Sequence, residues 1–164
     1  MKEFDYTIDY KNTLFTPNDS RYRIGRGEQG VLLVRPYTEV ICKHWRFRTP
    51  HIARISATRI YDLYTGYREK GDFVGMDMCR KFLEMGFTRA RRYANHADGK
   101  KYDAEGNVKP QEPDAMTSEK AISARIFKQM RDEVAHDPVY QSMRKEWREF
   151  ENTHPPKTEQ SVLT

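Results

Sequence analysis

Three short stretches concentrate the side chains that could do chemistry. The first is Gly25-Arg26-Gly27-Glu28-Gln29-Gly30, with Arg21 and Arg23 just upstream. Glycines let backbone N–H groups approach an anion closely, and the arginines would hold its charge. The spacing matches neither the P-loop nor the dinucleotide fingerprint, because no Lys-Ser/Thr follows. A tight turn before a strand, with Glu28 tying down a neighbouring Arg, is the competing reading. The second stretch is His44-Trp45-Arg46-Phe47-Arg48. If extended, it puts His44, Arg46 and Arg48 on one side and the two rings on the other. Trp45 would then anchor the segment in the core while Arg46 faces a ligand. The third is Thr88-Arg89-Ala90-Arg91-Arg92-Tyr93-Ala94-Asn95-His96. Its arginines repel one another unless an anion or nearby acids offset them, and Arg is the side chain that bonds phosphate in a planar, bidentate way. Asp72, Asp77 and Glu84 are the structural counter-ions within reach.

The wider charge pattern agrees with a surface for anions. Of 29 Lys and Arg, 20 lie in the first 101 positions, against 12 of 24 acids; the front carries +8 and the remaining 63 residues −3. Residues 21–48 and 80–101 each hold seven basic and two acidic residues, interleaved with aromatic rings and His. That composition suits gripping phosphate and stacking on flat groups. For acid–base chemistry the polar candidates are few: Glu28, His44, Asp77 and His96, with His51 nearby. No Ser-His-Asp order, HExxH or paired-carboxylate spacing occurs, and neither His nor Cys is spaced for metal. No metal or cofactor is therefore expected. Cys42 and Cys79 are read as two reduced thiols. The N-terminus lacks the apolar core of a signal peptide, and no apolar run approaches the ~20 residues that span a bilayer. A cytoplasmic, soluble protein is the expectation.

The elements that must position these stretches are mostly helical. A single domain is expected over residues 1–153, with a disordered tail over 154–164. Residues 1–22 read as a short strand or extended arm turning at Thr16-Pro17-Asn18-Asp19. Val31-Leu32-Leu33-Val34, bounded by Gly30 and Pro36, reads as a buried strand. Val40-Ile41-Cys42 could pair back as a second strand or begin a helix, and the reading leans to strand. Thr49-Pro50 starts a helix that Gly71 ends. Asp72 caps the next, with Met78, Phe82 and Met85 on one face and a break or kink at Gly86. Residues 97–117 read as a long loop or small hairpin. Thr117-Ser118-Glu119 opens a third helix and Asp137-Pro138 a fourth. The fold class is thus mainly α with a small N-terminal β element (α+β), about four helices around one core.

Taken together, Arg23 to Val34, His44 to Pro50, Asp72 to Leu83 and Thr88 to His96 resemble a small single-domain family of unknown function. That family is found in tailed phages, T4-like ones included, and in bacteria. The resemblance implies a short cytoplasmic protein, with a phage accessory product as one origin, and carries no catalytic role to any residue. The leading expectation from the residues is a phosphate-binding protein for single-stranded nucleic acid or a nucleotide. Arg23, Arg26, Arg46, Arg89, Arg91 and Arg92 would hold phosphate, with Tyr93, Asn95, His96, His44 and Glu28 as stacking or polar contacts. The alternatives are an enzyme on such a ligand using His44, His96 and Glu28, and a factor directed at a host protein.

Overall fold

The computed structural model describes residues 4–156. A 3-10 turn at Tyr10–Asn12 is followed by helices Tyr37–Cys42 (α1), Pro50–Glu69 (α2), Phe73–Asn95 (α3), Glu119–Ala135 (α4) and Pro138–Thr153 (α5). α3 is the central element. Its first half, Phe73 to Cys79 and then Lys81, Phe82, Leu83, Met85 and Gly86, is buried all round, as a helix inside a core must be. α2 and α4 pack on α3 and on each other, while α1 and α5 lie at its flanks.

The four long helices start where their capping residues predict. Side-chain oxygens accept from free backbone N–H groups: Thr49 from Ile52 at 3.2 Å, Asp72 from Gly75 at 3.4 Å, Ser118 from Ala121 at 3.2 Å and Asp137 from Val139 at 3.0 Å. Gly71, at φ +68°, supplies the left-handed residue that closes α2. Gly86, however, does not break α3, which runs straight through it. A Cβ there would sit 2.4 Å from Cδ1 of Phe127 on α4. The glycine is there so that two helices can approach.

The expected N-terminal β element is absent; among the described residues there is one isolated bridge and no sheet. Val31 to Val34 coil through successive turns, with Val31 N–H bonded to the Glu28 carbonyl and Leu33 N–H to that of Gly30. The burial pattern gives the reason. Val31, Val34, Thr38 and Ile41 are buried while Leu32, Leu33 and Val40 are exposed, a spacing of three to four that suits a turn running into helix α1. A buried strand would also need a partner ladder, and none of the neighbouring segments is extended beside it. In residues 97–117, Tyr102 and Val108 form the single antiparallel bridge, with Lys109 N–H bonded to the Lys101 carbonyl. At the far end, His154 is held in place, stacked on Phe150 with centroids 4.2 Å apart. Of the tail expected over 154–164, residues 157–164 lie outside the described residues.

Candidate functional site

Two clefts flank the C-terminal end of α3. The first, about 310 Å³, lies between that helix and the 101–111 loop. Arg91, Arg92, Lys101 and Lys109 line it together with Thr88, Asn95, His96 and Gln111, and no carboxylate does so among the described residues. The loop is fastened to the helix by main-chain bonds: Glu112 N–H to the Asn95 carbonyl at 2.8 Å, and Ala97 N–H to Glu112 Oε1 at 3.1 Å. Arg91 adds a hydrogen bond to the Ala115 carbonyl and one to Asn95 Oδ1 at 3.2 Å. Lys109 pairs with Asp98 at 2.7 Å. His96 is 5% exposed, and its Nδ1 has no hydrogen-bond partner.

Of the four cations only Lys109 has a carboxylate partner, Asp98; Arg91, Arg92 and Lys101 form no ion pair with the described residues. Asp72, Asp77 and Glu84 serve other partners: Asp72 takes the Tyr37 hydroxyl, Asp77 pairs with Arg80 and Glu84 with Arg131. Asp72 caps the start of α3 and the other two sit on its first half, turns away from the arginine run. Neither Arg89 nor Arg92 makes a side-chain hydrogen bond or ion pair with the described residues. Burial, and then the charge of Arg125, push the Arg91 guanidinium below its ordinary pKa. The negative end of the α3 dipole, roughly half an elementary charge, offsets only a fraction of the three formal positive charges that remain.

The second cleft, about 560 Å³, is lined by Trp45, Arg46, Phe47, Arg48, Tyr93, Ala97 and Lys120. Its rings form a ladder. Trp45 and Phe47 meet edge to face at 5.1 Å, and Phe47 lies 6.0 Å from Tyr93. Trp45 Nε1 donates to the Phe82 carbonyl at 3.0 Å, which fixes the ladder to α3. The Lys120 ammonium sits over the Phe47 and Tyr93 rings and donates to the Arg48 carbonyl at 2.8 Å. Arg46 Nη1 donates to the Trp45 carbonyl at 2.6 Å, just beyond the end of α1. Burial, followed by the charge of Arg48, lowers the pKa of Lys120.

The glycine-rich loop is part of neither cleft. Its carbonyls face α3, where Arg80 Nη1 donates to Gly27 at 2.9 Å and Lys81 Nζ to Gln29 at 2.7 Å. An anion cradle would present N–H groups instead. Behind it lies a buried charge network that sequence reading overlooked. Asp77 accepts from Arg80 Nε at 2.7 Å, from the Tyr140 hydroxyl at 2.6 Å and from the Tyr22 hydroxyl. Burial alone would raise the Asp77 carboxyl, but Arg80, Lys81 and these hydrogen bonds outweigh it and hold its pKa at about 2. Lys81 is fully buried, and burial pulls its pKa down to about 7. The clue was two charges four residues apart inside an otherwise apolar helix.

The expected site residues therefore separate into groups. Arg91, Arg92, Asn95 and His96 come together in the first cleft; Arg46 and Tyr93 come together in the second. Glu28 accepts from the Thr88 hydroxyl at 2.8 Å, beside the first cleft. Arg23 is buried, donates to the Ser20 and His154 carbonyls and lies over the Phe150 ring. Arg26 is exposed on the glycine-rich loop. Arg89 is exposed and His44 half-buried, and neither lines these clefts. Sequence reading did not single out Lys101, Lys109, Gln111 or Lys120, and it named Arg48 only as a neighbour of Arg46 on one side of the second stretch. The first three belong to a loop without periodicity, whose fold onto α3 no local pattern announces.

A helical domain built on one buried helix, with two basic clefts at that helix's end, is thus the class defined by the fold. The chain belongs to the family described as Domain of unknown function (DUF4385), whose model matches residues 5–150. Neither the curated proteins nor the solved structures contain a match to this chain. No helix among the described residues is long and apolar enough to cross a membrane.

Proposed function

We propose that this protein binds a phosphate-bearing ligand, a nucleic acid strand or a nucleotide, in the cleft between the end of α3 and the 101–111 loop. The observation that carries the reading is that Arg91, Arg92 and Lys101 line one cleft and form no ion pair with the described residues, the fourth cation there, Lys109, being paired with Asp98. Phosphate oxygens would supply the missing counter-charge, through charge-assisted bonds to Arg92 and Lys101 and a polar contact from Asn95. Binding is better supported than catalysis, because His44 lies outside the cleft that contains His96. Such a protein would act in the cytoplasm on phage or host nucleic acid, in keeping with the resemblance to a family of tailed phages and bacteria.

Fluorescence anisotropy with a labelled oligonucleotide tests this at several salt concentrations. Affinity should fall steeply as salt rises. Arg92→Ala with Lys101→Ala, both at exposed positions, should weaken binding and reduce the log–log salt slope by about 1.4, the value for two single-strand phosphate contacts. Arg89→Ala, which removes an exposed charge outside the cleft, should weaken binding less than the double variant does. Equal affinity for the double variant and wild type would overturn the reading.

A further inference from the structure

We infer that the second cleft is a base-stacking subsite, so that the ligand is a single strand with phosphates in the first cleft and an unstacked base on Tyr93. This rests on the phosphate-binding reading of the first cleft and adds the ligand's class. The two clefts are back to back on the last turns of α3: Arg91, Arg92, Asn95 and His96 face one, Tyr93 and Ala97 the other. Arg92 and Tyr93 are successive residues, about 1.5 Å apart along the helix axis but about 100° apart around it, so a ligand that reaches both must wrap around the end of the helix. A mononucleotide would need one cleft only. A strand uses both.

The second cleft has the parts that stacking requires. Tyr93 is 40% exposed, a large exposure for a ring packed among others. The ring is held rigidly. Gly99, at φ +73°, lies so close that a Cβ there would fall 2.8 Å from it, and Phe47 and Trp45 continue the aromatic ladder behind. Arg46, Arg48 and Lys120 surround the rings, again with no carboxylate among the described lining residues. Arg48 is exposed and makes no side-chain ion pair with the described residues, which leaves its charge for a strand's backbone. Exposed rings beside cations are how proteins hold single strands without reading sequence. Bases inside a duplex are already stacked on one another and present only their edges, so duplex does not fit this cleft.

The test compares a labelled oligothymidylate of about twelve nucleotides with an abasic strand of the same length and charge, by fluorescence anisotropy. The wild-type protein should bind the base-bearing strand about ten-fold or more tightly. Tyr93→Ala should abolish that preference and leave the affinity for the abasic strand unchanged. Tyr93→Leu, which keeps apolar packing on Phe47, should behave like Tyr93→Ala; wild-type preference in Tyr93→Leu would show that packing alone matters and overturn the inference. Arg92→Ala with Lys101→Ala should weaken both strands alike. Equal binding of the two strands by the wild type overturns the stacking subsite while the phosphate reading stands. Lack of salt-sensitive binding to either strand overturns both.

Discussion

Asp77→Asn should cost about 3–5 kcal/mol of folding stability, the range for breaking a buried ion pair. Asp77 is the one acceptor on which Arg80, Tyr22 and Tyr140 converge, and Lys81 lies 4.0 Å from it. Asn keeps the shape but leaves the Arg80 guanidinium without its anion in a buried site. The carboxylate's pH dependence follows from its depressed pKa. The unfolded state binds the proton more readily, so the stability it contributes is complete above about pH 4 and is lost as pH falls towards 2. Lys81 acts in a different window. Its pKa falls from 10.5 to about 7 on folding, so the unfolded state again holds more protons, and stability rises with pH between those values. In Asp77→Asn the nearest anion is gone, the Lys81 pKa drops further, and this rise should begin at a lower pH. Urea melts across pH check both signs. A variant as stable as wild type at neutral pH would contradict the assigned network.

Two glycine-to-alanine changes in helices should have opposite signs. Gly86→Ala gains about 1 kcal/mol of helix propensity, yet its Cβ would fall 2.4–2.6 Å from three ring atoms of Phe127. Real Cβ contacts essentially never come under 3.0 Å, and Phe127 is fully buried with no room to swing aside. Overpacking of this kind costs about 1–3 kcal/mol, occasionally more, and separating α3 from α4 also disturbs the interface on which both clefts depend. The clash outweighs the propensity, and a net loss of about 1 kcal/mol is expected. Gly66 in α2 has nothing within 4 Å of its would-be Cβ. Gly66→Ala should therefore stabilise by about 0.8–1 kcal/mol. Thermal melts of the two variants side by side decide the matter: a shift of the same sign in both would show that the α3–α4 contact is not close at Gly86.

The helices were legible because their signals are local. Thr49-Pro50, Asp72, Ser118 and Asp137-Pro138 each carry a capping side chain that works within its own turn, and the structure uses all four. The role of Gly86 was not legible, because the reason for a glycine there is a ring 41 residues away in sequence, on α4. Val31 to Val34 misled because a short apolar run looks the same for a strand and for a helix-like turn; only the exposure of Leu32 and Leu33 separates them. The candidate site divides in the same way. Helical spacing puts Arg89, Arg92 and His96 on one face; Arg92 and His96 do line the first cleft, beside Arg91 and Asn95, but Arg89 does not. The opposing wall, Lys101, Lys109 and Gln111, depends on how a 97–117 loop folds back. The glycine-rich stretch looked like an anion cradle because sequence shows its glycines but not the direction of its carbonyls, which face Arg80 and Lys81.

The central claim, that a strand lies across the end of α3, is tested most directly by titrating the isotope-labelled protein with an oligothymidylate and following backbone amide shifts by NMR. Perturbations should concentrate at residues 88–111, and at residues 45–48 and Lys120, with the glycine-rich loop at residues 25–30 unmoved. Shifts centred on residues 25–30, or none at low salt, would contradict it.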